Sequence, residues 1–224
     1  MWRMDKNKQA VKQMKEGNME EAAKLLNEAI EENPNDAVAF ANFGNLLLAV
    51  QDSDRALTFF NKAIELDSEQ GAAYYGKGNV LFNLEDYLGA IDAYQETLNK
   101  GIKEADVYYM LGLSFYNQGD LVRALPSLHT AVELNDTDVD AQFQYGLTLA
   151  QLERIDEAIS VFQHVISIDE QHADSYFNLG VAYSYKDNID EATAMFKKAL
   201  QIQPDHVLSA NGLKQLENLR NQGE

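Results

Sequence analysis

The chain has 224 residues, with 18 Lys and Arg against 36 Asp and Glu for a formal net charge of −18, and is 46% hydrophobic and 10% aromatic. That is ample apolar material for a buried core, so disorder is excluded; the absence of cysteine removes disulfides, thiolate metal sites and cysteine nucleophiles and suits a reducing, cytoplasmic setting. The opening stretch holds no apolar signal core and the least polar later stretch, residues 107–116, is too short to span a bilayer; the negative charge opposes nucleic acid and anionic lipid, so neither is expected as a partner.

Glycines stand at Gly44, Gly78, Gly112, Gly146 and Gly180, each 34 residues after the last, and an alanine follows each by twelve residues at Ala56, Ala90, Ala124, Ala158 and Ala192. Units of 34 residues therefore begin at Ala37, Gly71, Ala105, Val139 and Ala173, and an earlier one at Arg3 is in register. Large residues recur at position 4 (Phe40, Tyr74, Tyr108, Tyr176), position 11 (Leu47, Leu81, Phe115, Leu149, Tyr183) and position 24 (Phe60, Tyr94, Leu128, Phe162, Phe196). The spacing 4, 7, 8, 11 is one amphipathic stripe and 20, 24, 27 a second, so each unit is two antiparallel helices, here called A and B. The small residues at 8 and 20 are expected to let the two backbones approach closely.

In chain order, unit 3–36 reads as a polar cap, because Lys6 and Gln9 replace core residues and Trp2 precedes it to cover the open edge. Unit 37–70 turns at Gln51-Asp52-Ser53-Asp54. Unit 71–104 opens with Gly71 to Gly78, which matches the start of a phosphate-binding loop, but Gly78 replaces the required Ser or Thr and no strand precedes it. No nucleotide site is expected there. Unit 105–138 turns at Gln118-Gly119-Asp120 and carries Pro126 inside its second helix, read as a tolerated outward bend. Unit 139–172 has Gln142 at position 4, and unit 173–206 turns at Lys186-Asp187-Asn188. A closing helix at about 207–221 is expected to bury a stripe of Val207, Ala210, Leu213 and Leu216. His129, His164, His172 and His206 form no i, i+4 pair and read as surface or loop residues, not metal ligands.

The pattern resembles the tetratricopeptide repeat (TPR), with its aromatic or Leu at 4, Gly or Ala at 8, Ala at 20, Phe or Tyr at 24, Ala at 27 and Pro at 32. Pro34 and Pro204 are the only prolines at 32, and Lys77 at position 7 is a further departure. The layout is also similar to small bacterial TPR-only proteins of the YrrB type. The resemblance implies an all-α fold, a right-handed superhelical α-solenoid of TPR helix pairs running as one array over residues 1–224.

It also implies that the helix A stripe at positions 2, 5, 9 and 12 lines a concave groove. The candidate contact residues are Asn42, Asn45, Tyr75, Asn79, Phe82, Asp106, Tyr109, Tyr116, Asp140, Phe143, Asp174, Phe177 and Asn178. Tyr75, Tyr109, Phe143 and Phe177 repeat at position 5, and Asp106, Asp140 and Asp174 at position 2. Aromatic faces beside carboxylates and amides suit a partner segment of apolar and basic character. Equally, these residues are common in TPR units and could serve as scaffold that braces neighbouring helices.

Half of the net charge falls in residues 105–172, where Arg123 and Arg154 are the only Lys or Arg, which suits either a basic partner or a solubilising face. TPR domains that clamp acidic C-termini need Lys or Arg at helix A positions 2, 5 and 6, and none stands there in the five later units. With no Ser/His/Asp set, the chain is expected to be a non-enzymatic binding scaffold or adaptor without cofactor or metal. The alternative is a self-assembling structural protein that uses Trp2 and the closing helix.

Overall fold

The computed structural model describes residues 5–222, with side chains through 218 and at Arg220; Trp2 and the expected start at Arg3 lie outside the described residues. The described residues form thirteen helices and no strand. The chain divides into two compact units, residues 1–118 and 119–224. The first carries α1 (Lys6–Lys15), α2 (Met19–Glu32), α3 (Ala37–Ala49), α4 (Ser53–Leu66), α5 (Gly71–Asn83), α6 (Tyr87–Asn99) and α7 (Ala105–Asn117). The second carries α8 (Leu121–Leu134), α9 (Val139–Gln151), α10 (Ile155–Ile168), α11 (Ala173–Tyr185), α12 (Ile189–Ile202) and α13 (Val207–Gln222).

Within each unit every helix packs on the next in sequence. Odd-numbered helices also touch one another (α1 on α3, α3 on α5, α5 on α7; α9 on α11, α11 on α13), whereas no two even-numbered helices of a unit do, among the described residues. Each unit is therefore closest packed along its odd-numbered layer and bends toward it. This is the all-α solenoid arrangement, in which a helix pair cannot bury its apolar face alone and stacks on the next.

The ends of the helices are set locally. Asp36, Asp52, Asp86, Asp120 and Asp138 cap the helices that follow by accepting backbone N–H groups, at 3.0 Å from Val38 and at 3.3 Å from Arg55, for example. Each A-to-B turn places one residue in the left-handed region: Gly17, Gln51, Glu85, Gly119, Glu153 and Asp187, at φ between 59° and 83°. The next amide then reaches back to close the helix, as in Asp52 N to Leu47 O at 2.9 Å. A side chain in this region costs about 1–2 kcal/mol. Gln51→Gly, Glu85→Gly and Glu153→Gly should each raise stability by about 0.5 kcal/mol once the greater freedom of the unfolded chain is set against the relief. Gly17→Ala should lower it by about 1 kcal/mol without any clash, since a Cβ there meets nothing within 4 Å. Thermal melts of the four variants check both signs.

In the core the space beside the glycine of position 8 is taken by the ring of position 24. A Cβ at Gly44 would lie 2.8 Å from the Phe60 ring, at Gly78 2.6 Å from Tyr94, at Gly146 2.7 Å from Phe162 and at Gly180 2.6 Å from Phe196. The glycine seats the large ring at position 24, which fills the space beside it. The ring is clasped from the other side too: a Cβ at Gly76 would lie 2.3 Å from Phe60, and at Gly212 2.7 Å from Phe196. Phe60 and Phe162 are fully buried and Phe196 nearly so, and the Phe60 and Phe196 rings each fill the junction of three helices. Gln142, buried in place of the usual aromatic, is satisfied by donating Nε2–H to Asp136 O at 3.1 Å.

The closing helix buries only the second half of the expected stripe. Ser209 and Leu216 are buried and Leu213 partly so, whereas Ala210 is exposed and Val207 is 67% and Leu208 58% exposed. α13 keeps the register of the other odd helices, whose third and tenth residues (Ala39 and Leu46, Ala73 and Val80, Ser175 and Ala182) are buried. Val207 and Ala210 occupy the face that elsewhere meets an even-numbered helix.

Candidate functional site

In the first unit Tyr75, the fifth residue of α5, is half-buried, its ring centroid 5.8 Å from that of Tyr94. The Tyr94 hydroxyl donates to Asn79 Oδ1 at 2.8 Å, and burial pushes this phenol far above its ordinary range. Burial also raises Tyr75, opposed by its hydrogen bond with Asn79. Asn79 thus serves one buried and one half-buried tyrosine. Phe82 lies edge-on to Tyr87 at 5.5 Å, Asn42, Tyr109 and Tyr116 are half-buried, and Asn45 and Asp106 are exposed.

In the second unit Phe143 packs 5.8 Å from Phe162 and 4.8 Å from His172, and Phe177 packs 5.8 Å from Phe196 and 5.3 Å from His206. These two histidines are loop residues, as expected, but they are drawn inward and do not lie on the surface. His206 is buried, His172 is partly so, and each is the N-cap of an odd helix. His172 Nδ1 accepts from Ser175 N and His206 Nδ1 from Ser209 N, both at 3.1 Å. With Nδ1 an acceptor, Nε2 of His206 carries the proton and donates to Asp174 Oδ1 at 3.0 Å. Asn178 donates to the Asp174 carbonyl of its own helix at 2.8 Å. Asp174 and Asn178 therefore have internal partners, although Asp174, like Asp140, is exposed.

Between α11 and α13 runs a groove of about 460 Å3, walled by Phe177, Val181 and Ser184 from α11 and by Leu208, Asn211 and Gln215 from α13. These are residues 5, 9 and 12 of one helix and 2, 5 and 9 of the other. The α13 wall was missed because that helix had been aligned by its apolar residues; counting from the helix start, in phase with the 34-residue period, finds it. His172 and His206 stand at position 34, where Asp36 and Asp138 cap other helices, which was the available signal.

Arg123 and Arg154, the two bases of residues 105–172, are bound to their own neighbours. Arg123 Nε meets Asp120 at 2.6 Å, and Arg154 makes two hydrogen bonds to Glu157 at 2.6 and 2.5 Å. The guanidinium holds the Glu157 carboxyl below its usual range, and Asp120 is held low first by the Arg123 backbone N–H and then by its side chain. Among the described residues no group of three or more His, Asp or Glu could hold a metal ion, and no helix is long and apolar enough to cross a membrane.

Tetratricopeptide repeat models match residues 13–77, 109–172 and 173–206. Among solved structures the chain is similar to YrrB, a TPR protein, with 45% identity over 86% of this chain and 99% of that one and a TM-score of 0.82. It is similar to MamA with 26% identity over 73% of this chain and 96% of that one, TM-score 0.69. PilF of Pseudomonas aeruginosa shares the fold, with 17% identity over 92% and 94% and a TM-score of 0.78. No curated protein matches. Repeat pattern, paired helices and these likenesses agree: the chain belongs to the tetratricopeptide repeat family.

Proposed function

We propose that this protein–protein interaction scaffold binds a partner polypeptide segment of apolar and basic character on the odd-numbered helices. The observation that carries the reading is the groove between α11 and α13, where Val181 and Leu208 remain 46% and 58% exposed beside Phe177. Exposed Asp106 and Asp140 on the same layers of their units, and the net charge of −18, favour Lys or Arg in the partner. YrrB is described as having an unusual peptide-binding site, which supports a peptide ligand here. Phe177 serves as scaffold and groove wall at once. The 34-residue units 3–36, 37–70, 71–104, 105–138, 139–172 and 173–206, with a closing helix, are our division of the chain, and we read it as a cytoplasmic adaptor without catalytic role.

Val181→Lys with Leu208→Lys places two cations in the groove at exposed positions that the fold does not need. Capture of the partner from native extract should fall at least tenfold, while Val122→Lys, at a residue 75% exposed on α8, leaves it unchanged. Equal capture by both variants would remove the groove from the account.

Self-association is favoured by one observation, the exposure of Val207 and Leu208 together on α13. Light scattering decides it: a mass of 25.2 kDa at every concentration ends this reading, and a larger mass that Val207→Lys with Leu208→Lys returns to 25.2 kDa supports it.

A further inference from the structure

We propose that the cleft between α5 and α6 is a second docking site, taking a partner segment that inserts one aromatic side chain flanked by Lys or Arg. The cleft holds about 350 Å3 and includes Tyr74, Lys77 and Leu81 of α5 and Asp92, Ala93 and Glu96 of α6 in its lining. At 100° per residue its α5 side faces roughly 150° away from Tyr75 and Asn79, so it is separate from the surface proposed above.

In three other helix pairs the equivalent positions are filled. In α3 and α4 the places of Lys77 and Ala93 are held by Phe43 and Phe59, stacked with centroids 4.5 Å apart, and Phe40 adds a third ring 5.8 Å from Phe59. In α9 and α10 they are held by Tyr145 and Val161, and in α11 and α12 by Leu179 and Met195, all packed into apolar clusters. In α5 and α6 the filling rings are absent. Tyr74 and Leu81 remain as walls, and Lys77 makes no ion pair among the described residues. Helix pairs that fill this space do so with each other's side chains; this one leaves room for a ring from outside.

The rim states the charge of the occupant. Asp92 and Glu96 lie one turn apart on α6 with Asp86 at its N-cap, three carboxylates against one ammonium. Glu96 accepts from the Asn99 amide at 3.1 Å and feels the Lys100 ammonium, which is itself paired with Glu69 at 2.7 Å, and Asp92 has no hydrogen bond or ion pair among the described residues. A cation beside the inserted ring would pair with them. A second copy of this chain, itself at −18, is the wrong complement.

The probe is an acetylated, amidated Lys-Phe-Lys tripeptide, titrated into the isotope-labelled full chain while the Gly89 and Ala93 amide resonances are followed. Saturable shifts at both residues are expected, with Lys-Ala-Lys at least tenfold weaker. Ala93→Phe restores the ring that Phe59 supplies in α4, and should weaken Lys-Phe-Lys at least tenfold while the melting temperature holds or rises. Ala93→Leu serves the same end should the larger ring unfold the chain. Asp92→Asn with Glu96→Gln should weaken binding three- to tenfold and flatten its salt dependence. Shifts that do not saturate, equal binding of Lys-Ala-Lys, or unchanged titration of the folded Ala93 variants would overturn the proposal. Val181→Lys with Leu208→Lys leaves the titration unchanged, which separates this site from the groove.

Discussion

Phe60→Ala is expected to lower the stability of the first unit by about 3–5 kcal/mol, among the largest effects of any single truncation there. The ring is fully buried and bridges α3, α4 and α5, so its loss leaves a void between two helix pairs that no neighbour can close. The same geometry predicts a reversal of sign. In the native chain Gly76→Ala drives a methyl to 2.3 Å from the Phe60 ring, and the resulting overpacking of about 1–3 kcal/mol outweighs the roughly 1 kcal/mol that Ala gains over Gly in a helix. With Phe60→Leu in place that contact is gone, and Gly76→Ala should become stabilising. Denaturant unfolding of the four members of this cycle gives the coupling directly. Additive effects would mean that the ring and the glycine are not interlocked.

His206→Ala should free α13 by on the order of 2 kcal/mol, seen as roughly 30-fold faster hydrogen exchange of its amides with the rest of the second unit little changed. One substitution removes the N-cap to Ser209, the ring packed on Phe177 and the hydrogen bond to Asp174. His206→Asn, which can still accept at the cap, should lose far less. Because α13 forms one wall of the groove, His206→Ala should also weaken partner capture although the histidine itself is buried. Equal exchange in the Ala and Asn variants would show that the cap is not what holds the helix.

The repeat period located the helices because the small and large positions are dictated by packing that every pair must satisfy, and α3, α5, α7, α9 and α11 begin at Ala37, Gly71, Ala105, Val139 and Ala173. Period alone did not reveal which side a residue serves. Asn79 and Asp174 look identical in kind to Asn45 and Asp140, yet the first pair is spent on Tyr94 and His206 while the second has no such partner among the described residues. That difference depends on partners 15 and 32 residues away, beyond any local pattern. The left-handed residue of each turn was hidden because Gln51, Glu85 and Glu153 carry no glycine to mark it. Lys77 was visible as a departure, but its meaning required Ala93 on another helix. In α13 Leu213 and Leu216 pack inward while Val207 and Ala210 do not, because the place in the period, not apolarity, fixes which side is buried.

The claim that the odd-numbered layer holds the partner is tested most directly by photo-crosslinking from a benzophenone side chain placed at one position at a time. The informative positions are Asn45 on α3 and Val181 on α11, with Val122 on α8 as the outer-face control. Adducts from Asn45 or Val181, mapped to a partner segment with apolar residues and Lys or Arg and suppressed by high salt, are the expected result. Adducts formed from Val122 alone, or equally from all three, would contradict it.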